Sequence, residues 1–481
     1  MSLEAPTYLA SLQNNIRQRP IPWDGAVRSG LVTDSQLALI RALDRAKKTE
    51  LKKSIIENDL DGYTALWVGD KAASRLSVLE SAAKQPAIIQ YLLVLLGDLI
   101  ECAPTLAKSL LLSDDPYRSL RPLLLHSKTL DDPIPLLASK VITGIMAAAR
   151  DGSAATRQAL PETLSYLSEL VESNDAPKQD IAIQQFSAIL YSRQTRRQFW
   201  DQRNETVRPM IDILRSAAGV GSQSSTSSLW SGSATLRPAT DAQLSGGVGL
   251  QLLYHVLLVL WQLSFDSSEI GDALNDEYDI VILYTQLLRV SPKEKTSRLI
   301  IATLWNLLEK NQRSLLPTAV LARLPSLLDN LTGRHFTDRD LLEDLSSLKE
   351  LLEDYTRTKT TFDEYVAEVN SGHLRWSPPH RNAMFWAENA RKILEYENGS
   401  LPKKLKDIMN RSWDQDKAVL AIACNDIGWL VREAPEKRHQ LERLGLKKRV
   451  MELMDETDEN VRWESLRALG GWLKYSFESS K

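Results

Sequence analysis

Two stretches decide the fold: HVLLVLWQLSF, His255 to Phe265, and LIIATLWNLLE, Leu299 to Glu309. Trp261 aligns with Trp305 and Leu263 with Leu307, an offset of 44 residues (305 minus 261). Each stretch is apolar with helical spacing, and neither alternates as a strand does. A second pair lies near the end. QDKAVLAIACNDIGWL aligns with TDENVRWESLRALGGWL, with Val419 over Val461, Ile427 over Leu469 and Gly428 over Gly470, an offset of 42 residues (461 minus 419). Both offsets fall in the roughly 40–47 residue period of armadillo and HEAT units. LGLKKRVMELMDETDENVRWESLRALGGWL has the layout of one armadillo unit: a turn at Gly445, a helix with Val450, Leu453 and Met454, an acidic loop, then a helix with Val461, Ser465, Leu466, Ala468 and Leu469. One such unit cannot bury its apolar face alone, whereas stacked units share a continuous core. The expected fold is therefore all-α, an armadillo/HEAT-like helical-repeat superhelix.

Working outward, the same periodicity recurs. LVTDSQLALIRALDRA spaces Thr33 and Gln36 as a capping box ahead of Leu39, Leu43 and Ala46. QPAIIQYLLVLLGDLIECA and IPLLASKVITGIMAAARDG read as helices too. One segment interrupts the pattern. Ser216 to Gly249, rich in Ser, Gly, Ala and Thr, is expected to be a mobile surface insertion.

Composition bounds the function. Of 481 residues, 43% are hydrophobic and 25% charged, and 59 Lys and Arg against 62 Asp and Glu give a net charge of −3. That balance argues against a surface built mainly for nucleic acid or anionic lipid. The two cysteines, Cys102 and Cys424, lie in apolar helical contexts, which argues for free thiols in a reducing compartment. MSLEAPTYLASLQNN lacks the basic start and apolar core of a secretory signal. The longest apolar run, Leu250 to Phe265, is short for a membrane span and contains His255 and Gln262, so a buried helix is expected.

Catalytic patterns are missing. The chain has no GxxxxGK[ST] phosphate loop, no HExxH and no GxSxG elbow. Asp114/Asp115 and Asp131/Asp132 stand beside Pro or turn signals and read as helix caps or solvated loop charges. No cofactor, catalytic residue or metal site is expected. His373 and His380 lie seven residues apart without a third ligand at a typical spacing. Groove arrays that bind basic peptides need Asn four residues after Trp. After Trp261, Trp305, Trp429 and Trp472 that position holds Phe265, Glu309, Glu433 and Ser476, so no array exists.

Those histidines belong to a distinctive stretch. Leu341, Leu345, Leu348, Leu352 and Tyr355 share one helical face, with Thr337 and Asp338 as cap candidates. A second helix carries Phe362, Tyr365 and Val369 and stops at Asn370–Gly372. Ser377 and Pro378 read as N-cap and first position of the next helix, whose inner face includes Phe385, Trp386, Ile393 and Leu394. His373, Leu374 and Trp376 thus fall in a short connector, a hinge or corner by local chemistry.

This stretch, FDEYVAEVNSGHLRWSPPHRNAMFWAENARKI, resembles a segment of one family, the H subunit of the vacuolar-type proton ATPase (V-ATPase). Three further stretches resemble the same family in the same order: NNIRQRPIPWDGAVRSGLVTDSQLALIRALD, LQLLYHVLLVLWQLSFDSSEIGDAL, and Ala421 to Leu469. The resemblance points to a fungal-type member, and Ser216–Gly249 departs from the family pattern. It implies three parts: an N-terminal repeat domain over residues 1–361, a hinge over 362–379 with Gly372, Trp376, Ser377 and Pro378, and a C-terminal regulatory domain over 380–481.

The resemblance also implies a function. Such a subunit is not an enzyme but a stator and regulatory part of the proton-transporting pump, on the cytosolic face of vacuolar and endosomal membranes. The N-terminal domain docks on the E/G peripheral stalk. The C-terminal domain meets the cytosolic part of the membrane a subunit, and swings to the catalytic sector and rotor when that sector detaches, stopping ATP hydrolysis. The matching inhibitory loop is Asn410, Arg411, Ser412, Trp413, Asp414, Gln415 and Asp416. The alternative reading is a solenoid adaptor that binds partner peptides in its groove.

Overall fold

The computed structural model describes residues 7–69, 76–127, 129–149, 153–219, 248–291, 293–357, 360–413 and 416–478. The fold is all-α and armadillo/HEAT-like, with no strand among the described residues. Contacts divide the chain into two compact units, Met1–Ile213 with Leu250–Asp266, and Leu214–Gly249 with Ser267–Lys481. Most of the expected insertion, residues 220–247, lies outside the described residues.

The first unit is built from stacked apolar helices. Helix α1 (Pro86–Cys102) packs on α2 (Pro133–Ala148), and α3 (Ala154–Glu172) on α4 (Ala176–Ile189), which packs in turn on α5 (Leu250–Leu263). Proline opens α1 and α2, where its missing N–H leaves no bond unmade. The Thr33 capping box forms. Thr33 Oγ1 accepts from the Gln36 amide at 3.2 Å, and Gln36 accepts in return from the Thr33 amide at 3.0 Å. Asp132 caps the Ile134 amide and Asp115 accepts from the Tyr117 amide. Ile89, Leu92, Leu96 and Leu99 of α1 and Ile142 and Ile145 of α2 are buried together in the core, each such side chain contributing about 1.5–3 kcal/mol of transfer free energy.

The second unit includes α6 (Ile280–Val290), α7 (Glu294–Lys310), α8 (Gln312–Leu321) and α9 (Arg339–Arg357), with α7 packed on α6, α8 and α9. The face read for α9 is correct: Leu341, Leu345, Leu348 and Leu352 are buried, and Asp338 caps the Leu341 amide at 3.1 Å. There follow α10 (Thr361–Ser371), α11 (Pro378–Arg381), α12 (Ala383–Glu395), α13 (Ser400–Asn410), α14 (Lys417–Glu433), α15 (Leu446–Glu452) and α16 (Glu459–Glu478). Helices α14 and α16, paired by the 42-residue offset, pack on each other. Gly428 makes this approach possible, since a Cβ there would meet the Ala468 backbone at 3.1 Å. Gly445 opens α15 at φ 82°, a left-handed backbone that glycine adopts without penalty. No single described helix is long and apolar enough to cross a membrane. Both cysteines are free thiols, and burial pushes Cys424 up to about 12.

Candidate functional site

The connector is positioned from both sides. Thr360 caps α10: its hydroxyl accepts from the Asp363 amide, and Asp363 accepts from the Thr360 amide. The buried face of α10 carries Phe362, Tyr365, Val366 and Val369, and among them a carboxylate, Glu368. The helix ends at Gly372, φ 76°, as its Asn-Ser-Gly sequence predicts. Ser377 precedes Pro378 at the start of α11, and a second N-cap, Asn382, then opens α12 by accepting from the Met384 and Phe385 amides. The helix read from Pro378 onward is therefore two helices with a corner between them.

A buried polar network fills that corner. Glu368 gathers three donors: the Arg375 amide at 2.6 Å, the Ser377 hydroxyl at 2.7 Å and His380 Nε2 at 3.1 Å. The other ring nitrogen, Nδ1, faces Asp426 of α14 at 2.7 Å. The Tyr365 hydroxyl donates to the second Asp426 oxygen at 3.2 Å, and Asn425 donates to the His380 carbonyl at 3.0 Å. With both nitrogens against carboxylate oxygens, both must donate, so the ring is an imidazolium. Burial pulls His380 down, but the two carboxylates outweigh it and hold the ring at about 10. Burial pushes the Asp426 carboxyl up, and the His380 cation draws it back. The Tyr365 phenol is raised well above its usual value by burial and by Asp426. A ring with both nitrogens committed cannot serve as a general base. Its chemistry is structural: one cation fixes α10, α11 and α14 together.

Two further bonds tie the connector to earlier helices. His373 Nε2 meets Asp279, at the start of α6, at 2.9 Å. The Arg375 guanidinium donates to the Leu321 carbonyl, the last residue of α8, at 2.9 Å.

The loop residues singled out in the sequence come to the same place. Asn410 closes α13, and Arg411, exposed, continues in extended backbone. A Cβ on Gly372 would stand 3.1 Å from Arg411 Nη1. Trp413 folds inward and is only 8% exposed, with Nε1 donating to the Ile408 carbonyl at 2.7 Å. Its ring stands edge-on to His373, centroids 6.2 Å apart. Asp416 is buried, its carboxyl pushed up by that burial and drawn down by His373. Ser412 is exposed, and Asp414 and Gln415 lie outside the described residues. From the connector, His373 therefore contacts the loop, and Gly372 lies near it. Trp376 lies under the Arg381 guanidinium.

Glu368, Asp426 and Asn425 were not singled out from the sequence. The signal was there: Glu368 falls on the helical face of Tyr365 and Val369, and Asp426 interrupts the apolar run Val419–Val431. An acid inside an apolar stripe needs a buried partner.

Residues 7–352 match one family model described as the V-ATPase H subunit, and residues 358–477 match a second with the same description. The V-type proton ATPase H subunit of Drosophila melanogaster is 35% identical over 240 residues, covering 49% of this chain and 50% of that protein. The first of two probable V-type proton ATPase H subunits of Caenorhabditis elegans is 34% identical over 225 residues, covering 46% and 49%. The aligned part thus spans about half the length of these two relatives. The probable V-type proton ATPase H subunit of Oryza sativa subsp. japonica is 24% identical over 483 aligned residues, covering 94% of each chain.

Proposed function

The chain belongs to the V-ATPase H subunit family, and from that membership we propose that it is a non-catalytic regulatory and stator subunit of the proton pump. In the assembled pump it supports coupled ATP-driven proton transport. On the detached catalytic sector it silences ATP hydrolysis. The match of both family models, together spanning 7–352 and 358–477, carries this reading.

Residues 1–361 act as the stalk-docking domain on the E/G subunits, and residues 380–481 as the regulatory domain that meets the membrane a subunit or the catalytic and rotor subunits. The chain works on the cytosolic face of vacuolar and endosomal membranes through that complex. Residues 362–379 are the hinge and Asn410–Asp416 the inhibitory loop. The contact of His373 with Trp413, and the closeness of Gly372 to Arg411, support a linked action of the two. A swing of the C-terminal helices needs the His373–Asp279 and Arg375–Leu321 bonds to open, so these bonds act as a latch on one orientation.

The test is ATP hydrolysis by a detached catalytic sector lacking its own H subunit, with and without this chain. Strong inhibition, lost when Asn410–Asp416 is replaced by a Gly/Ser linker, is the expected result. No inhibition by a folded chain that binds the stalk would transfer the function to a solenoid adaptor.

A further inference from the structure

Helices α12 and α13 are joined by one tight turn, Tyr396, Glu397, Asn398 and Gly399. Its last three residues are all left-handed, at φ 43°, 57° and 79°. Gly399 is buried, and a Cβ on it would stand 3.1 Å from Gln440 Nε2, which donates to the Leu394 carbonyl. A left-handed backbone and a close neighbour together call for glycine. Asparagine suits the position before it, because its short polar side chain tolerates the same region. The turn is thus built from Asn-Gly, a dipeptide that occurs once in the chain.

That dipeptide carries its own chemistry, because it holds a nucleophile next to an electrophile. The Gly399 amide nitrogen, with no Cβ beside it, can attack the Asn398 side-chain carbonyl carbon. The new C–N bond closes a succinimide ring, the bond to the side-chain nitrogen breaks, and ammonia leaves with the Gly399 amide proton. Water then opens the ring. Cleavage at one carbonyl gives aspartate. Cleavage at the other gives isoaspartate, with the main chain rerouted through the side chain. Water is the sole co-reactant.

Three features favour the reaction at this turn. Asn398 is exposed, so water reaches it. Its side-chain amide has no hydrogen-bond partner among the described residues. Glu397 carries a side chain in left-handed backbone, a strain that loosening of the turn relieves. One bond opposes it: the Gly399 N–H donates to the Tyr396 carbonyl at 2.9 Å and must open before the nitrogen attacks. Exposed turns open in this way while the helices around them stay folded.

We infer that Asn398 is a site of spontaneous deamidation in the folded chain, through a succinimide shared with Gly399, giving aspartate or isoaspartate at the α12–α13 turn. This modification stands apart from the silencing reading, because mass alone reports it.

The full chain is held for several weeks in mildly alkaline buffer at physiological temperature, and its peptides are followed by mass spectrometry, with a fresh sample digested alongside as background. The peptide with Asn398 should gain the mass of an amide-to-acid exchange and elute as two products, the isoaspartyl form the larger. It should do so several-fold faster than the peptide with Asn370, which is also exposed but is followed by Ser371, whose Cβ hinders the attack. Denaturant below the unfolding transition should leave the rate unchanged. An unmodified Asn398, or one modified no faster than Asn370, overturns the inference. So does a rate that climbs with the unfolded fraction, which assigns the reaction to the unfolded chain.

Discussion

His373 Nε2 lies 2.9 Å from the Asp279 carboxylate, joining the connector to a helix start 94 residues earlier. Asp279 has φ 53°, so Asp279→Gly removes the carboxylate at a position where glycine is unstrained. Losing this half-exposed bond should cost about 1 kcal/mol. Hydrogen exchange of the amides from His373 to Ser377 should accelerate more than exchange in the core of α14. The same variant should change the concentration at which the chain silences the detached catalytic sector, because one bond of the proposed latch is already open. Unchanged exchange in the connector would show that the pair does not hold it.

His380 gives a prediction in pH. In the folded chain its ring is held at about 10, against an ordinary histidine value of about 6.5. Between those values the folded state binds a proton that the unfolded state lacks. Stability from this group is therefore complete below about pH 6.5 and is lost as pH rises through about 10. Denaturant unfolding across that window should show this decline in wild type, and His380→Gln should flatten it. The variant should also lose about 3–5 kcal/mol at pH 7, since it leaves two buried carboxylates without their cation. A parallel pH dependence in both proteins would assign the slope to other groups.

The repeat fold was legible because its signals are local and periodic. The 42-residue offset, the Thr33–Gln36 box and the Gly372 and Gly445 helix boundaries appear in the structure. The site was legible only in part. Gly372 and Trp413 stand out as residue types in telling places, but that they meet through Arg411 and His373 is a tertiary fact across some forty residues. The Glu368–His380–Asp426 triad was hidden for the same reason. Each acid looks like an isolated exception in an apolar stripe until packing brings the three together. Trp413 ties the loop to its own domain through the Ile408 carbonyl, a bond that no local pattern in the sequence marks.

Gly372 separates backbone strain from side-chain crowding. Alanine at φ 76° costs about 1–2 kcal/mol for its left-handed conformation. The added Cβ also approaches Arg411 Nη1 at 3.1 Å, but that is the tip of a flexible side chain and can move aside. Gly372→Ala should therefore destabilise by about 1–2 kcal/mol, with little relief when Arg411→Ala is added. It should also shift the balance between coupled transport and silencing. Pro378→Ala, at an exposed first helical position, should lower stability by less than about 1 kcal/mol. Full rescue by Arg411→Ala would place the cost in the contact instead.

The proposed inhibitory loop can be tested without disturbing the fold, provided the right residue is changed. Trp413 is a poor choice. It is buried, it bonds the Ile408 carbonyl and it packs on His373, so Trp413→Ala should cost about 3–5 kcal/mol and confuse unfolding with lost contact. Arg411 is exposed and free of that problem. Arg411→Ala should leave stability within about 0.5 kcal/mol. If the loop touches the catalytic sector, the same change should raise the concentration needed for half-inhibition by about tenfold. Titration of the detached sector with each variant, beside its unfolding curve, separates the two effects. Inhibition that follows stability across both variants would mean the loop acts by shaping its own domain. Inhibition lost in Arg411→Ala at wild-type stability would make the loop a contact surface.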